Sequence, residues 1–396
     1  MRSICVLTGE VSGEMHAAAL LREVTSQHSD IILFGMGSDK LKQVGVDVLV
    51  DTTQYSTVGF LEPIKYLVKF WKAYKLMKSA IEERKPDIVL AVDNQGFNVP
   101  LLKAAKKAGC KTAYYISPQE WHWGTEKGGR SVLEVTDKII AIFKKEEAFY
   151  TRLGGDAVYV GHPLTDITKP ELSKAQFFSY VKLDPSTKIL SIFPGSRKQE
   201  LERVAPVLLG AAKRIQAEYP TLQCVVSVVK KDYREVIEEK VAEAGLESAI
   251  LYSGDSKSLM ANAHFSLTTS GTICIEHALL GAPCAVAYKF NPITYKLAKK
   301  LMQSRLGKIP YMSMINQFVD QEIQREFLQD KATPEQIAKV VNSILSSQEH
   351  YDDYASKLKI GLQDLGEPGV IKRAADALLS LENIRYNTAE NPSQGD

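Results

Sequence analysis

The chain has 396 residues, 45% hydrophobic and 24% charged, with a formal net charge of +2. The length exceeds one ordinary core and predicts two domains, and the composition is that of a folded globular chain, which argues against a disordered one. Near-neutral charge excludes a whole-molecule attraction to nucleic acid, so any basic surface is local.

Five cysteines, Cys5, Cys110, Cys224, Cys274 and Cys284, are scattered through apolar runs with no Cys-x-x-Cys and no zinc spacing, which fits free thiols in a reducing cytosol. Met1 to Thr8 reads as a strand, not a signal peptide, and no run of eighteen apolar residues spans a membrane. A helix lying on a membrane surface stays open.

Short apolar runs alternate with helical patterns. The first half predicts strand Ser3–Thr8, helix Gly13–Gln27, strand Ile31–Phe34, helix Pro63–Arg84, strand Asp87–Val92 and helix Asn98–Ala108. Strands Thr112–Ile116 and Lys138–Ile142, helix Lys145–Leu153 and strand Ala157–Val160 complete it. Gly161–Thr187, with Pro163, Pro170 and Pro185, reads as the connection.

The alternation then restarts with strand Ile189–Phe193, helix Gln199–Tyr219, strand Cys224–Val229 and helix Tyr233–Ala244. Strand Phe265–Thr268, helix Thr272–Leu280 and strand Cys284–Ala287 follow. Helices Pro292–Gln303, Pro334–Ser346, Tyr351–Leu362 and Pro368–Leu381 precede a polar tail, Asn387–Asp396, that reads as disordered. The fold class is therefore α/β, two Rossmann-like doubly wound domains facing across a cleft, with ligands at the carboxyl ends of strands.

Two loops of the second half suit a phosphate. Pro194-Gly195-Ser196-Arg197 follows a strand and precedes a helix: glycine admits close backbone approach and arginine offers a planar fork. Alone it also reads as a turn with a solvated arginine. Thr269-Ser270-Gly271-Thr272 likewise follows a strand and opens a helix whose free N–H groups favour an anion. Glu276, one turn on, is placed to accept from ribose hydroxyls or simply to complement the helix dipole. The two loops together favour the phosphate reading. There is no Walker motif, no Gly-x-Gly-x-x-Gly after a strand and no Asp-x-Asp, so no cofactor and no metal are expected.

In the first half, strand one runs into Thr8-Gly9-Glu10-Val11-Ser12-Gly13-Glu14, and another strand ends in Asp93-Asn94-Gln95-Gly96-Phe97-Asn98. Asp93 at a strand's carboxyl end is placed as general base, or as an Asx-turn or cap. Ser117-Pro118-Gln119-Glu120-Trp121-His122-Trp123 brings two tryptophans to a third strand end, for a sugar, an acyl chain or a plug over the core. His122 and His162 lie in loops without metal-ligand spacing. In helix Pro63–Arg84, Lys65, Lys69, Lys72, Lys75 and Lys78 recur at near-helical spacing beside an apolar stripe of Ile64, Leu67, Val68, Trp71, Tyr74, Met77 and Ile81. That pattern fits a core helix with a solvated basic face, or a helix meeting anionic lipid.

The ordered set Gly9–Glu14, Asp93–Asn98, Tyr115–Trp123, Gly161-His162-Pro163, Pro194–Arg197, Ser270–Thr272 with Glu276, and Tyr311–Asn316 resembles the lipid-A-disaccharide synthase family of GT-B glycosyltransferases. The resemblance implies transfer from UDP-2,3-diacylglucosamine to 2,3-diacylglucosamine 1-phosphate, with inversion, by a protein peripheral on the cytoplasmic face of the inner membrane. It implies Asp93 as catalytic base and Ser196, Arg197, Ser270, Gly271, Thr272, Glu276 and Asn316 as donor-binding residues. On the acceptor side it implies the loops carrying Ser12, Gly13, Glu14, Asn98, Trp121 and Trp123, and for membrane and acyl chains Lys65, Lys69, Trp71, Lys72 and Lys75. The implied domains are 1–165, with helix 366–385 packing back on it, and 166–365, before a disordered tail 386–396; a homodimer stays open. Two departures lie on the acceptor side: Gly96 replaces the family's second aspartate, and Gly124-Thr125-Glu126 stands where basic residues are expected. A UDP-N-acetylglucosamine 2-epimerase-like enzyme and a non-catalytic nucleotide-sugar or lipid-binding relative are the alternatives.

Overall fold

The computed structural model describes residues 2–9, 11–51, 63–122, 124–291, 311–363 and 365–389. The chain divides into two compact units, Met1–Asp166 with Leu365–Asp396, and Ile167–Asp364.

The first unit runs β1 (Ser3–Thr8), α1 (Val11–Gln27), β2 (Ile32–Gly37), α2 (Asp39–Lys42), β3 (Asp47–Asp51), α3 (Pro63–Arg84) and β4 (Ile88–Val92). It continues α4 (Gln95–Lys107), β5 (Lys111–Tyr115), α5 (Glu126–Leu133), β6 (Lys138–Ala141), α6 (Lys144–Arg152), β7 (Ala157–Tyr159) and α7 (Leu164–Ile167). Its strands form one parallel sheet in the order β3-β2-β1-β4-β5-β6-β7. The central strand Ile88-Val89-Leu90-Ala91-Val92 is buried at every position, because helices cover both faces.

The second unit runs α8 (Lys174–Val181), β8 (Ile189–Phe193), α9 (Lys198–Arg203), α10 (Ala205–Glu218), β9 (Gln223–Ser227), α11 (Arg234–Glu243), β10 (Ile250–Tyr252) and α12 (Ser256–Asn262). Then come β11 (Phe265–Thr269), α13 (Ile273–Leu279), β12 (Cys284–Tyr288), α14 (Met314–Val319), β13 (Arg325–Leu328), α15 (Pro334–Leu345) and α16 (Gln348–Leu362). The strand order is β10-β9-β8-β11-β12-β13, again parallel.

The last helix, α17 (Val370–Ala389), belongs to the first unit. Its face of Val370, Ala374, Ala375, Leu378 and Leu381 is buried. The Asp166 carboxylate caps its start, accepting from the N–H groups of Gly369 (2.7 Å) and Ile371 (2.8 Å).

Four expectations change. Helix Gln199–Tyr219 is two helices, broken at Val204 where Pro206 in the first turn of α10 has no N–H to continue the ladder. Helix α4 starts at Gln95 instead of Asn98, since Asn94 O already accepts from Phe97 N (3.3 Å) and Asn98 N (3.0 Å). The tail expected to be disordered from 386 remains helical to Ala389, because a helix nucleated by a packed face propagates into polar residues; residues 390–396 lie outside the described residues. The short strands β3, β10 and β13 went unpredicted, being three to five residues long with half-buried positions. The expected helix Pro292–Gln303 also lies outside the described residues.

Candidate active site

In each sheet the strand order reverses once, and the loops at the carboxyl side of that switch point splay apart to receive ligands. In the second unit the switch lies between β8 and β11, whose ends Phe193 and Thr268 are register partners. Pro194–Arg197 leaves the first of these strands and Ser270–Thr272 the second.

The Pro194–Arg197 turn is braced from inside. Gly195 has φ +129°, and a Cβ there would stand 2.4 Å from Glu200 Cβ. The space admits the buried Glu200 carboxylate, which accepts from Ser196 N (2.8 Å) and Arg197 N (3.2 Å). The two amides are thus satisfied by the protein, and the group left outward is the Arg197 guanidinium. Its side chain is 66% exposed and makes a 3.7 Å ion pair to Glu200. Glu200 was not singled out from sequence; an acidic residue four positions after Ser196 in a helix's first turn is its only signal.

Across the switch, Ser270 Oγ donates to Met312 O at 3.3 Å, tying the start of α13 to the 311–316 loop. Gly271 and Thr272 lie half-buried in that start. Glu276 is also half-buried, and among the described residues no hydrogen bond or ion pair holds its carboxylate. Burial raises its pKa, opposed by Lys257 and reinforced by Asp255.

Asn316 sits differently from a ligand-facing residue. It is wholly buried; its Nδ2 donates to Gln324 O (2.7 Å) and Glu326 Oε1 (2.6 Å), and its Oδ1 accepts from Ile323 N and Gln324 N, both at 2.9 Å. The side chain is spent in holding the loop. Glu326, which sequence reasoning missed, completes the brace by accepting from Met312 N (2.6 Å) and Ser313 N (2.7 Å).

In the first unit the switch lies between β1 and β4, where Thr8 pairs with Val92. Asp93 follows at once, half-buried and left-handed at φ +53°, and Asn94 is left-handed too at φ +44°. Gly9 makes this turn fit: a Cβ at Gly9 would lie 1.6 Å from Asn94 Nδ2. A Cβ at Gly13 would stand 3.6 Å from Asp93 Cβ, so the opening turn of α1 backs onto the aspartate. Asn98 is buried, donating to Asp93 O (2.7 Å) and Val92 O (3.2 Å).

Glu14, expected in an acceptor-side loop, lies in the first turn of α1. It is buried, and its carboxylate accepts from Ser38 N (2.7 Å), Ser38 Oγ (2.5 Å) and Leu41 N (3.2 Å), capping α2. Trp121 packs on Phe143 with ring centroids 5.5 Å apart, so it covers the core while staying half-buried. His162 is buried against His16 at 6.1 Å, its pKa lowered by burial and by His16. Trp123 and the side chains of Ser12 and Lys65 lie outside the described residues.

Residues 4–379 match the family described as lipid-A-disaccharide synthetase. The chain belongs to that family. The lipid-A-disaccharide synthase of Geobacter metallireducens is 30% identical over 96% of this chain and 97% of its own. That of Trichlorobacter lovleyi is 32% identical over 96% and 97%. The chain is accordingly a glycosyltransferase of lipid A biosynthesis. Its fold is GT-B: a putative UDP-N-acetylglucosamine 2-epimerase from Listeria monocytogenes superposes with TM-score 0.65 at 12% identity, covering 100% of this chain and 99% of that one. WaaG, a glycosyltransferase of lipopolysaccharide biosynthesis, superposes with TM-score 0.53 at 11% identity over 96% and 99%. At such identities these two show the fold alone.

Within this family the two departures acquire a place. Gly96 is exposed, and a Cβ there meets nothing within 4 Å. Its neighbour Gln95 donates to Glu120 Oε1 at 2.8 Å, while Glu120 Oε2 accepts from Thr125 N at 3.1 Å. Gly124 and Gly128 leave the room this carboxylate occupies, since a Cβ at either would fall 1.8 or 2.0 Å from Glu120 Oε2. Glu120 therefore bridges Gln95, the neighbour of Gly96, to Thr125 of the second departure.

Helix α3 shows Lys69, Lys72 and Lys75 exposed, and Lys75 Nζ lies 3.7 Å over the Trp71 ring. Trp71, expected in the apolar stripe and among the lipid-contact residues, is 56% exposed, with Leu76 at 49%, while Ala73, Met77, Ala80 and Ile81 make the buried face. Those four positions follow the helical period more closely than Trp71 does. Among the described residues no helix is long and apolar enough to cross a membrane.

Proposed function

We propose that the chain joins UDP-2,3-diacylglucosamine to 2,3-diacylglucosamine 1-phosphate, with inversion at the anomeric carbon, releasing UDP and a β-1,6-linked disaccharide 1-phosphate. The observation that carries this reading is the pairing of Arg197 and the Ser270–Thr272 helix start at one switch point, in a member of this family.

In the proposed step, the Asp93 carboxylate takes the proton of the acceptor's 6-hydroxyl. The freed oxygen attacks the anomeric carbon from the face opposite UDP, and the bond from that carbon to the diphosphate oxygen breaks. Charge gathering on the diphosphate meets the Arg197 guanidinium and the N–H groups at the start of α13, with no metal or cofactor required. The Glu276 carboxylate, without a hydrogen bond or ion pair among the described residues, accepts from the ribose hydroxyls. Asn316 serves the donor through the loop it holds. The exposed Trp71, Leu76 and lysines of α3 rest on anionic lipid at the cytoplasmic face of the inner membrane, where both acylated sugars reside.

Incubating purified protein with the two acylated sugars tests the reading by mass spectrometry and by the anomeric coupling of the product. A β-linked disaccharide is expected. Absence of product from protein that still binds UDP contradicts it and favours a non-catalytic relative.

A further inference from the structure

Helix α4 and strand β5 both reach for the same backbone atom, the carbonyl oxygen of Asp93. Asn98 Nδ2 donates to it at 2.7 Å, and Tyr114 Oη donates to it at 2.7 Å. Tyr114 is wholly buried on β5, one strand from Asp93, and no sequence motif singled it out.

The geometry explains why such a clamp is needed. Asp93 N makes a last sheet-like bond to Tyr115 O at 3.3 Å. The chain then turns through two successive left-handed residues, Asp93 and Asn94, neither of them glycine. Asp and Asn adopt that conformation more readily than other side-chain-bearing residues, but as single residues, so two in succession draw on bonds from their surroundings. Two donors on one carbonyl oxygen fix the 93–94 peptide plane, and with it the direction of the Asp93 Cα–Cβ bond. Packing alone does not require the Tyr114 hydroxyl; a phenylalanine would fill the same space.

We infer that Tyr114 is a positioning residue for Asp93: its hydroxyl holds the left-handed turn that aims the carboxylate at the acceptor hydroxyl. The inference rests on the reading of Asp93 as base. Small misplacements of a reacting group are costly in rate, so the effect belongs in turnover and not in binding.

The test compares wild type, Tyr114→Phe, Asp93→Asn and the double variant, with melting curves to confirm folding. Tyr114→Phe is expected to lower kcat about tenfold, with KM for both sugars and UDP affinity within twofold of wild type. On the Asp93→Asn background it is expected to change the residual rate less than twofold, because its partner in catalysis is already gone. Wild-type kcat for Tyr114→Phe overturns the inference, as does a tenfold loss repeated on the Asp93→Asn background, which marks a general structural effect. Full turnover by Asp93→Asn instead overturns the base reading itself, and the positioning role with it.

Discussion

The carboxylate of Glu200 accepts from the backbone N–H groups of Ser196 (2.8 Å) and Arg197 (3.2 Å). An anion from the protein thus already holds the two amides that the turn would otherwise offer to a phosphate. Affinity for the diphosphate then depends on the shape this brace imposes and on the exposed Arg197 guanidinium, whose ion pair to Glu200 is long at 3.7 Å. Glu200→Ala is expected to loosen the turn and weaken UDP binding about tenfold, the scale of one lost charge-assisted bond. Calorimetric titration with UDP checks it; unchanged affinity means the turn keeps its shape without Glu200.

Arg197→Ala separates ligand binding from stability. The side chain is 66% exposed and its ion pair is long at 3.7 Å, so the melting temperature is expected to move little. UDP affinity is expected to fall by about ten- to a hundredfold, as for loss of a charged hydrogen bond to phosphate. A large drop in melting temperature with intact affinity refutes the diphosphate role.

Histidine burial makes the fold acid-sensitive. Burial lowers the pKa values of His16 and His277 from 6.5 to about 4. The unfolded chain takes up these protons below pH 6.5, while the folded chain refuses them until about pH 4. Unfolding therefore gains protons in that window, and stability falls as pH drops through it. His16→Gln is expected to flatten the decline of melting temperature between pH 6.5 and 4. A wild-type slope in the variant contradicts this assignment.

Gly96→Asp tests the acceptor-side departure. The Cβ meets open space, so folding is expected to be unchanged to within about 0.5 kcal/mol in urea melts. A new carboxylate beside the loop that carries Asp93 is expected to change KM for the acceptor while leaving UDP affinity alone. A parallel change in UDP affinity places residue 96 elsewhere.

Alternation of buried strands and helices was readable because short continuous apolar runs such as Ile189–Phe193 contrast with longer period-3.6 patterns such as Pro334–Leu345. The positions of Asp93, Arg197 and Ser270 at strand ends followed from the same reading. What stayed illegible depends on which polar groups meet in space. Glu14 and Asn316 carry the residue types of a binding site, yet each spends its side chain on backbone amides nearby. Glu200, Glu326 and Tyr114 shape the site without standing in a motif that names them. Local spacing shows which strand end a residue occupies, and only the fold shows whether its polar atoms are already taken.

The central claim assigns donor binding to the second unit and proton removal to Asp93 in the first. Turnover and UDP affinity measured together on Asp93→Ala test it most directly. The account predicts loss of disaccharide formation with UDP affinity equal to wild type. Retained turnover, or loss of turnover and UDP binding in equal measure, would contradict it.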